Sequence, residues 1–346
     1  MGIVTAYGVT EPHGAFTKLD LERRDLDQND VLIKIAFAGI CHSDIHTVRG
    51  EWGQITFPMI PGHEIAGIVE AVGPGVTKHN VGDRVGVGCF VDSCRECENC
   101  LSGWDNYCLK RNTGTYNSVD KYGMPTAGGY SSHIVVDENY TLSIPDGIGL
   151  DVAAPLLCAG ITMYSPLAHW GTGPGKNVAI VGLGGLGHVG VKIARAMGAE
   201  VTIMTRSNAK EADAARLGAS RFIATSAPDA LEGLRNTFDL IVNTISSGID
   251  VNHYLSTLRL HGAMVNVGVP TEPYTVPFGF LAGGQKSLAA SAIGSIRETQ
   301  EMLNFCATHG IGADIELISA HQIDDAYDRV VASDVRYRFV IDAATF

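Results

Sequence analysis

Asn177-Val178-Ala179-Ile180-Val181-Gly182-Leu183-Gly184-Gly185-Leu186-Gly187-His188 decides the fold of the second half of the chain. Its first five residues are almost wholly apolar and branched, as expected of a strand buried on both faces. The next six match G-x-G-x-x-G, and His188 to Met197 then reads as a helix stopped by Gly198. Many tight turns satisfy the glycine pattern alone, so its surroundings carry the argument. Val201–Met204, Arg221–Ala224, Asp239–Asn243, Ala263–Val267 and Leu288–Ile293 read as further strands, with helices that include Ala209–Leu217 and Val251–Leu260 between them. Six strands alternating with helices predict a doubly wound parallel α/β sheet. In that setting Gly182, Gly184, Gly185, Leu186 and Gly187 form a dinucleotide turn, where bare backbone approaches a pyrophosphate resting on the helix N-terminus.

The end of the second strand bears on which dinucleotide. A carboxylate there would hold a ribose 2′-hydroxyl. This chain has Thr205-Arg206-Ser207-Asn208-Ala209-Lys210 instead. Thr205, Arg206, Ser207 and Lys210 offer two hydroxyls and two cations, which suit a 2′-phosphate that a carboxylate would repel. The competing reading is an exposed loop in which Ser207 and Asn208 cap a helix. The expectation is NADP(H).

Outward toward the N-terminus, residues 1–40 read as β-structure. Val31–Ala38, Ile65–Val72, Val81–Gly88 and Gly128–Val136 are short strands with turn signals between them, as in an irregular barrel-like domain. Between two of them lie Gly39-Ile40-Cys41-His42-Ser43-Asp44-Ile45-His46 and Pro61-Gly62-His63-Glu64. Cys41 and His63 offer the sulfur and nitrogen that zinc favours, and a catalytic zinc has three protein ligands and an open position. Cys158 is the candidate third ligand. Taken alone, Cys41 reads more simply as a buried core thiol, and the rest of the chain reverses that reading.

Cys94, Cys97, Cys100 and Cys108 follow C-x2-C-x2-C-x7-C. A short lobe poor in apolar residues needs a cross-link, and four thiolates around zinc provide one. A four-cysteine iron–sulfur cluster and redox disulfides remain the alternatives. Cys89 and Cys306 read as buried thiols.

The chain of 346 residues is long enough for about two domains, and its 45% hydrophobic content provides ample core. The net charge of −12 disfavours nucleic acid and anionic membrane as partners. No signal peptide or apolar run of membrane length is visible, and in a cytosolic protein the clustered cysteines point to metal rather than disulfides. The expected location is therefore cytoplasmic.

These motifs occur together in one order, with Gly82-Asp83-Arg84-Val85-Gly86 and Glu298-Thr299-Gln300-Glu301-Met302-Leu303 beside them. The chain resembles, over essentially its whole length, the zinc-dependent medium-chain alcohol dehydrogenases. Cys41-His42-Ser43-Asp44, Asn106-Tyr107-Cys108 and Thr205-Arg206-Ser207 make it similar to the cinnamyl alcohol dehydrogenase-like branch. The resemblance implies a GroES-like β-rich catalytic domain (1–159 and 294–346) and a Rossmann NADP-binding domain (160–293). It implies two Zn2+ per chain: a catalytic one on Cys41, His63 and Cys158, with Glu64 a transient ligand, and a structural one on the four-cysteine lobe. Asp44 would orient a ligating imidazole. Ser43 would pass a proton through the nicotinamide ribose to His46, histidine being the side chain that ordinarily titrates near neutrality. Thr162 would line the nicotinamide and His42 would contact the cofactor phosphate. The usual assembly is a homodimer.

The implied activity is reversible hydride transfer between NADP(H) and primary alcohols or aldehydes, aromatic or medium-chain. Trp52, Ile55, Phe57 and Phe90 could line an apolar pocket or belong to the core. A zinc-free quinone or enoyl reductase would lack the Cys41, His63, Cys158 set. A non-enzymatic NADP(H) sensor would have no use for an open metal site and a proton relay.

Overall fold

The computed structural model describes residues 2–227 and 229–346. The chain forms two compact units, one running to Cys158 and resumed at Gly294–Phe346, the other spanning Ala159–Ile293.

The second unit is built on six strands, all paired in parallel. In space they run Arg221–Ala224, Glu200–Thr205, Asn177–Val181, Phe238–Asn243, Leu258–Asn266 and Ser287–Ala290. In chain order that is 3-2-1-4-5-6, the dinucleotide-binding arrangement, with the strand order reversing beside the first strand. Val178, Ala179, Ile180 and Val181 are fully buried, as a central strand covered on both faces requires. The helix Gly187–Ala196 follows directly.

Several expected elements are trimmed or shifted at their ends, the strand Leu288–Ile293 to Ser287–Ala290 and Gly128–Val136 to His133–Asp137 among them, and one boundary changes type. The helix expected over Val251–Leu260 ends at Thr257, and the chain passes at once into the strand Leu258–Asn266. Leu258-Arg259-Leu260 fits either period. The pairing of Leu258 with Phe238 and its complete burial in the sheet core decide for the strand.

The first unit carries a seven-stranded sheet. Asp30–Gly39 lies at its centre, pairing with Ile65–Val72 along its length, with His133–Asp137 at one end and with Arg338–Asp342 at the other. Arg338–Asp342 also pairs in parallel with Ile315–Ile318. The last part of the chain thus completes the sheet that its first part begins. A helix not foreseen from the sequence, Ile323–Val331, buries Ile323, Ala326, Tyr327 and Val330 against the core that holds Ile40 and Ile45. That is i, i+3, i+4, i+7 spacing.

Candidate active site

Cys41 stands at the head of the short helix His42–Val48, where the strand Asp30–Gly39 has ended. His63 and Glu64 immediately precede Ile65–Val72, the neighbouring strand. Cys158 follows the 3₁₀ turn Ala154–Leu157. Residues far apart in sequence therefore meet: one ligand atom each from Cys41, His63, Glu64 and Cys158 lies within 4.8 Å of the others, and all four residues are buried. The Cys41 and Cys158 sulfurs are 3.9 Å apart. Two thiolates at ~2.3 Å from one tetrahedral ion would stand about 3.8 Å apart, so the pair fits a single zinc.

Asp44 has no exposed surface and accepts from the His63 Nδ1 at 2.9 Å and from the Cys41 backbone N–H at 2.9 Å. The first bond fixes the imidazole tautomer, leaving Nε2 as the donor atom. The contact between the two cysteines holds the Cys41 thiol well below its ordinary pKa and Cys158 well above. Two close thiols share one proton most easily.

Glu64 is the least comfortable member. Its Oε1 accepts from the Arg338 guanidinium at 2.5 Å, while its Oε2 and the Arg338 Nε have no hydrogen-bond partner among the described residues. Burial pushes the Glu64 carboxyl up to about 8, against the pull of Arg338. A Cβ at Gly39 would stand 2.0 Å from Glu64 Oε2, so the carboxylate occupies space that only glycine leaves open. An orphaned buried carboxylate oxygen among thiols and an imidazole is what an intermittent metal ligand would leave behind.

Ser43 and His46 lie one turn apart on the helix His42–Val48, and Ser43 Oγ is 3.7 Å from the Cys41 sulfur. His46 pairs with Glu51 through Nδ1 and stacks on Trp52 with ring centroids 4.9 Å apart. Glu51 and Arg338 escaped the sequence reading. A charged residue leading the apolar strand Arg338-Phe339-Val340-Ile341 was a signal for the second, since such a charge needs a buried partner. Of the four proposed pocket residues, Trp52 is half exposed, Ile55 and Phe57 lean on the core, and Phe90 is buried against Tyr140. Cys89 is half-buried with its thiol against Cys158, at the edge of the site rather than deep in the core.

The four lobe cysteines also converge, with their sulfurs within 4.8 Å of one another and none in a disulfide. Backbone N–H groups of Cys97 and Leu109 point at the sulfurs of Cys94 and Cys97, 3.3 and 3.5 Å away. This spacing suits one tetrahedral ion, as a multi-iron cluster would hold its thiolates further apart.

In the second unit Gly182 takes a left-handed φ of +97°, and a Cβ on Gly187 would meet the Gly182 carbonyl at 2.0 Å. The turn is therefore as tight as its pattern demands. Space beside Gly184 is open, which leaves room for a diphosphate at the backbone. Lys210 reaches back to the Leu183 carbonyl at 2.8 Å, while Arg206 and Ser207 are exposed at the strand end. Thr162 is buried on the helix Ala159–His169.

This fold and donor set define a nucleotide-dependent dehydrogenase of the metal-using type. Residues 27–146 match the alcohol dehydrogenase GroES-like domain and residues 185–308 the zinc-binding dehydrogenase family. The chain is 57% identical over 346 residues to NADP-dependent alcohol dehydrogenase C 1 of Mycolicibacterium smegmatis, covering 100% of this chain and 99% of that one. Among solved structures, a cinnamyl alcohol dehydrogenase of Sorghum bicolor superposes with a TM-score of 0.95 at 41% identity, covering 99% and 98% of the two chains. The CAD of Helicobacter pylori, solved in complex with NADP(H), gives 0.92 at 40%, covering 99% of each. The chain belongs to the zinc-dependent medium-chain alcohol dehydrogenase family, in its cinnamyl alcohol dehydrogenase-like branch. Among the described residues no single helix is long and apolar enough to cross a membrane.

Proposed function

We propose that this protein is an NADP(H)-dependent alcohol dehydrogenase and aldehyde reductase acting on aromatic or medium-chain primary alcohols and aldehydes. The observation that carries the reading is the buried convergence of Cys41, His63, Glu64 and Cys158 in a chain whose glycine turn is followed by cations rather than a carboxylate. Residues up to 159 with 294–346 serve as the catalytic domain, and 160–293 bind the cofactor. Zinc held by Cys41, His63 and Cys158 supplies a Lewis acid toward the substrate oxygen, and NADPH supplies the hydride. A second zinc on Cys94, Cys97, Cys100 and Cys108 holds the lobe together.

The chain's own residues do the rest. Two thiolates and a neutral imidazole would offset the charge of a divalent ion held there. Asp44 holds the His63 Nδ1 proton, so that Nε2 is the nitrogen turned toward the metal position. Glu64 approaches or leaves the site, with Arg338 holding it in reserve. Ser43 donates or accepts a proton at its hydroxyl, and His46, tethered by Glu51, exchanges that proton with solvent. Thr162 lines the nicotinamide. Gly182, Gly184, Gly185, Leu186 and Gly187 admit the diphosphate, and Thr205, Arg206, Ser207 and Lys210 take the 2′-phosphate.

The assembly in this reading is a homodimer. The outer strand Ser287–Ala290 has one edge without a partner strand in the described sheet, and Leu260, Val269 and Phe278 are exposed in the same unit. Two unbridged thiol clusters suit the reducing cytoplasm.

The test mixes purified protein, NADPH and benzaldehyde or cinnamaldehyde and follows nicotinamide absorbance. Oxidation by the parent and near-complete loss in Cys41→Ser, with the variant still folded, is the expected result. Absence of turnover with every aldehyde offered, or undiminished rates in Cys41→Ser, would refute it.

A further inference from the structure

Four hydrogen-bond donors reach the buried Asp44 carboxylate. The Cys41 N–H and the Tyr130 hydroxyl address Oδ2 at 2.9 and 3.5 Å, and the Gly62 N–H and His63 Nδ1 address Oδ1 at 3.2 and 2.9 Å. A carboxylate offers about four lone-pair sites, and a buried one is costly to leave short of donors. Tyr130 is fully buried and accepts in turn from the Tyr327 hydroxyl at 3.3 Å. Tyr327 comes from Ile323–Val331, the helix that packs onto the core from the far end of the sequence. Phe16 closes over both rings, at centroid distances of 5.9 and 5.0 Å. A third phenol, Tyr116, also faces Asp44, with Thr47 beside it and its ring 5.8 Å from that of His63. Burial, reinforced by the nearby Asp44 charge, pushes all three phenols well above their ordinary pKa, so their hydroxyls remain available as donors.

We propose that Tyr130, steadied by Tyr327, is a positioning residue of the metal centre. It adds a donor to Oδ2 of Asp44 and so steadies the carboxylate that orients His63. The inference rests on the zinc reading above and concerns the hydroxyl, since the Tyr130 ring would fill the same space without it. With the hydroxyl gone, Oδ2 keeps the Cys41 N–H, and Tyr116 is left as the phenol facing the carboxylate. The carboxylate can then rotate, and the imidazole loses its fixed tilt toward the thiolates.

Tyr130→Phe separates the hydroxyl from the packing. Zinc release from the intact holoprotein into a coloured chelator is followed together with residual NADPH oxidation. The release phase that tracks inactivation reports the Cys41 site, and the other phase reports the four-cysteine lobe as an internal reference. Removing a direct partner of a metal-bound histidine costs about 10–100-fold, so a group one step further out should matter by about three- to tenfold. The expected result is a three- to tenfold faster site phase with the lobe phase unchanged, and a smaller change in the same direction for Tyr327→Phe. A site phase that is unchanged in both variants would overturn the proposal, as would equal acceleration of both phases, which marks loosened packing. Should the parent protein itself show only the lobe phase, the zinc reading fails, and this inference with it, before any variant is compared.

Discussion

Replacing Arg338 by methionine should cost stability that grows with pH. Glu64 has no exposed surface and Arg338 is 6% exposed, so neither charge has water to turn to when the other is removed. Breaking a buried pair from one side typically costs about 3–5 kcal/mol. Glu64 has an escape, because burial already pushes its carboxyl up to about 8 with Arg338 present, and loss of the guanidinium sends it higher. A carboxyl raised in the folded state contributes stability that is fully present below its unfolded pKa of about 4.3 and is lost as pH climbs through the folded value. In metal-free parent protein that loss stops near pH 8. In Arg338→Met it continues at ~1.4 kcal/mol per pH unit until the higher pKa is passed. At pH 6 both proteins hold a neutral Glu64, and the variant loses little more than hydrogen bonding, about 1–2 kcal/mol. At pH 10 the difference should approach about 3–5 kcal/mol. Chelator-dialysed protein unfolded in urea, in a Trp170→Phe background, reports this through Trp52 and Trp104, which both lie in the first unit. A cost that stays flat between pH 6 and 10, or remains under about 1 kcal/mol at pH 10, would refute the reasoning. Glu64→Gln combined with Arg338→Met should remove the part of the pH dependence that Glu64 carries.

Gly39→Ala places a methyl group 2.0 Å from Glu64 Oε2 and should destabilise by about 1–3 kcal/mol while lowering zinc content at the Cys41 site; melting and metal analysis check it, and unaltered values of both would show that the carboxylate is free to move. Arg206→Glu brings a carboxylate to the exposed strand end and should reduce the NADPH-over-NADH ratio of kcat/KM at least tenfold. A parent enzyme that uses NADH as well as NADPH would remove the basis for that reading of the loop. His46→Gln should slow turnover, most at low pH, and leave zinc bound; an unchanged pH–rate profile takes His46 out of the proton path.

Much of this molecule was legible because its signals are local. Asn177–Gly187 combines a buried strand, a left-handed turn and a helix start within one short window, and the lobe cysteines are spaced to fold onto one ion. Cys41, His63 and Cys158 could be nominated by chemistry, but their convergence is a property of the sheet. Register between Asp30–Gly39 and Ile65–Val72 sets Cys41 beside His63, and no local pattern encodes that. Tyr130 and Tyr327 were missed for the same reason, and for Arg338 the charge heading an apolar strand signalled a buried partner without naming it. The two tyrosines look like ordinary loop and helix residues until the chain has closed. The helix Ile323–Val331 was overlooked despite clean periodicity, its apolar stripe being diluted by three aspartates and an arginine. The misjudged end of Val251–Thr257 shows the converse, where a short apolar run fits both helix and strand and burial against Phe238 chooses.

The pairing of Arg338–Asp342 with Asp30–Gly39 has a consequence for biosynthesis. Domains generally fold as they leave the ribosome, earliest first. Here the unit between Ala159 and Ile293 is contiguous and can close during translation, whereas the unit that begins first must wait for its last strand. Until then Glu64 lacks its guanidinium and Asp44 lacks the Tyr327 end of its hydroxyl chain, so nascent thiols at Cys41 and Cys158 remain unshielded through most of synthesis.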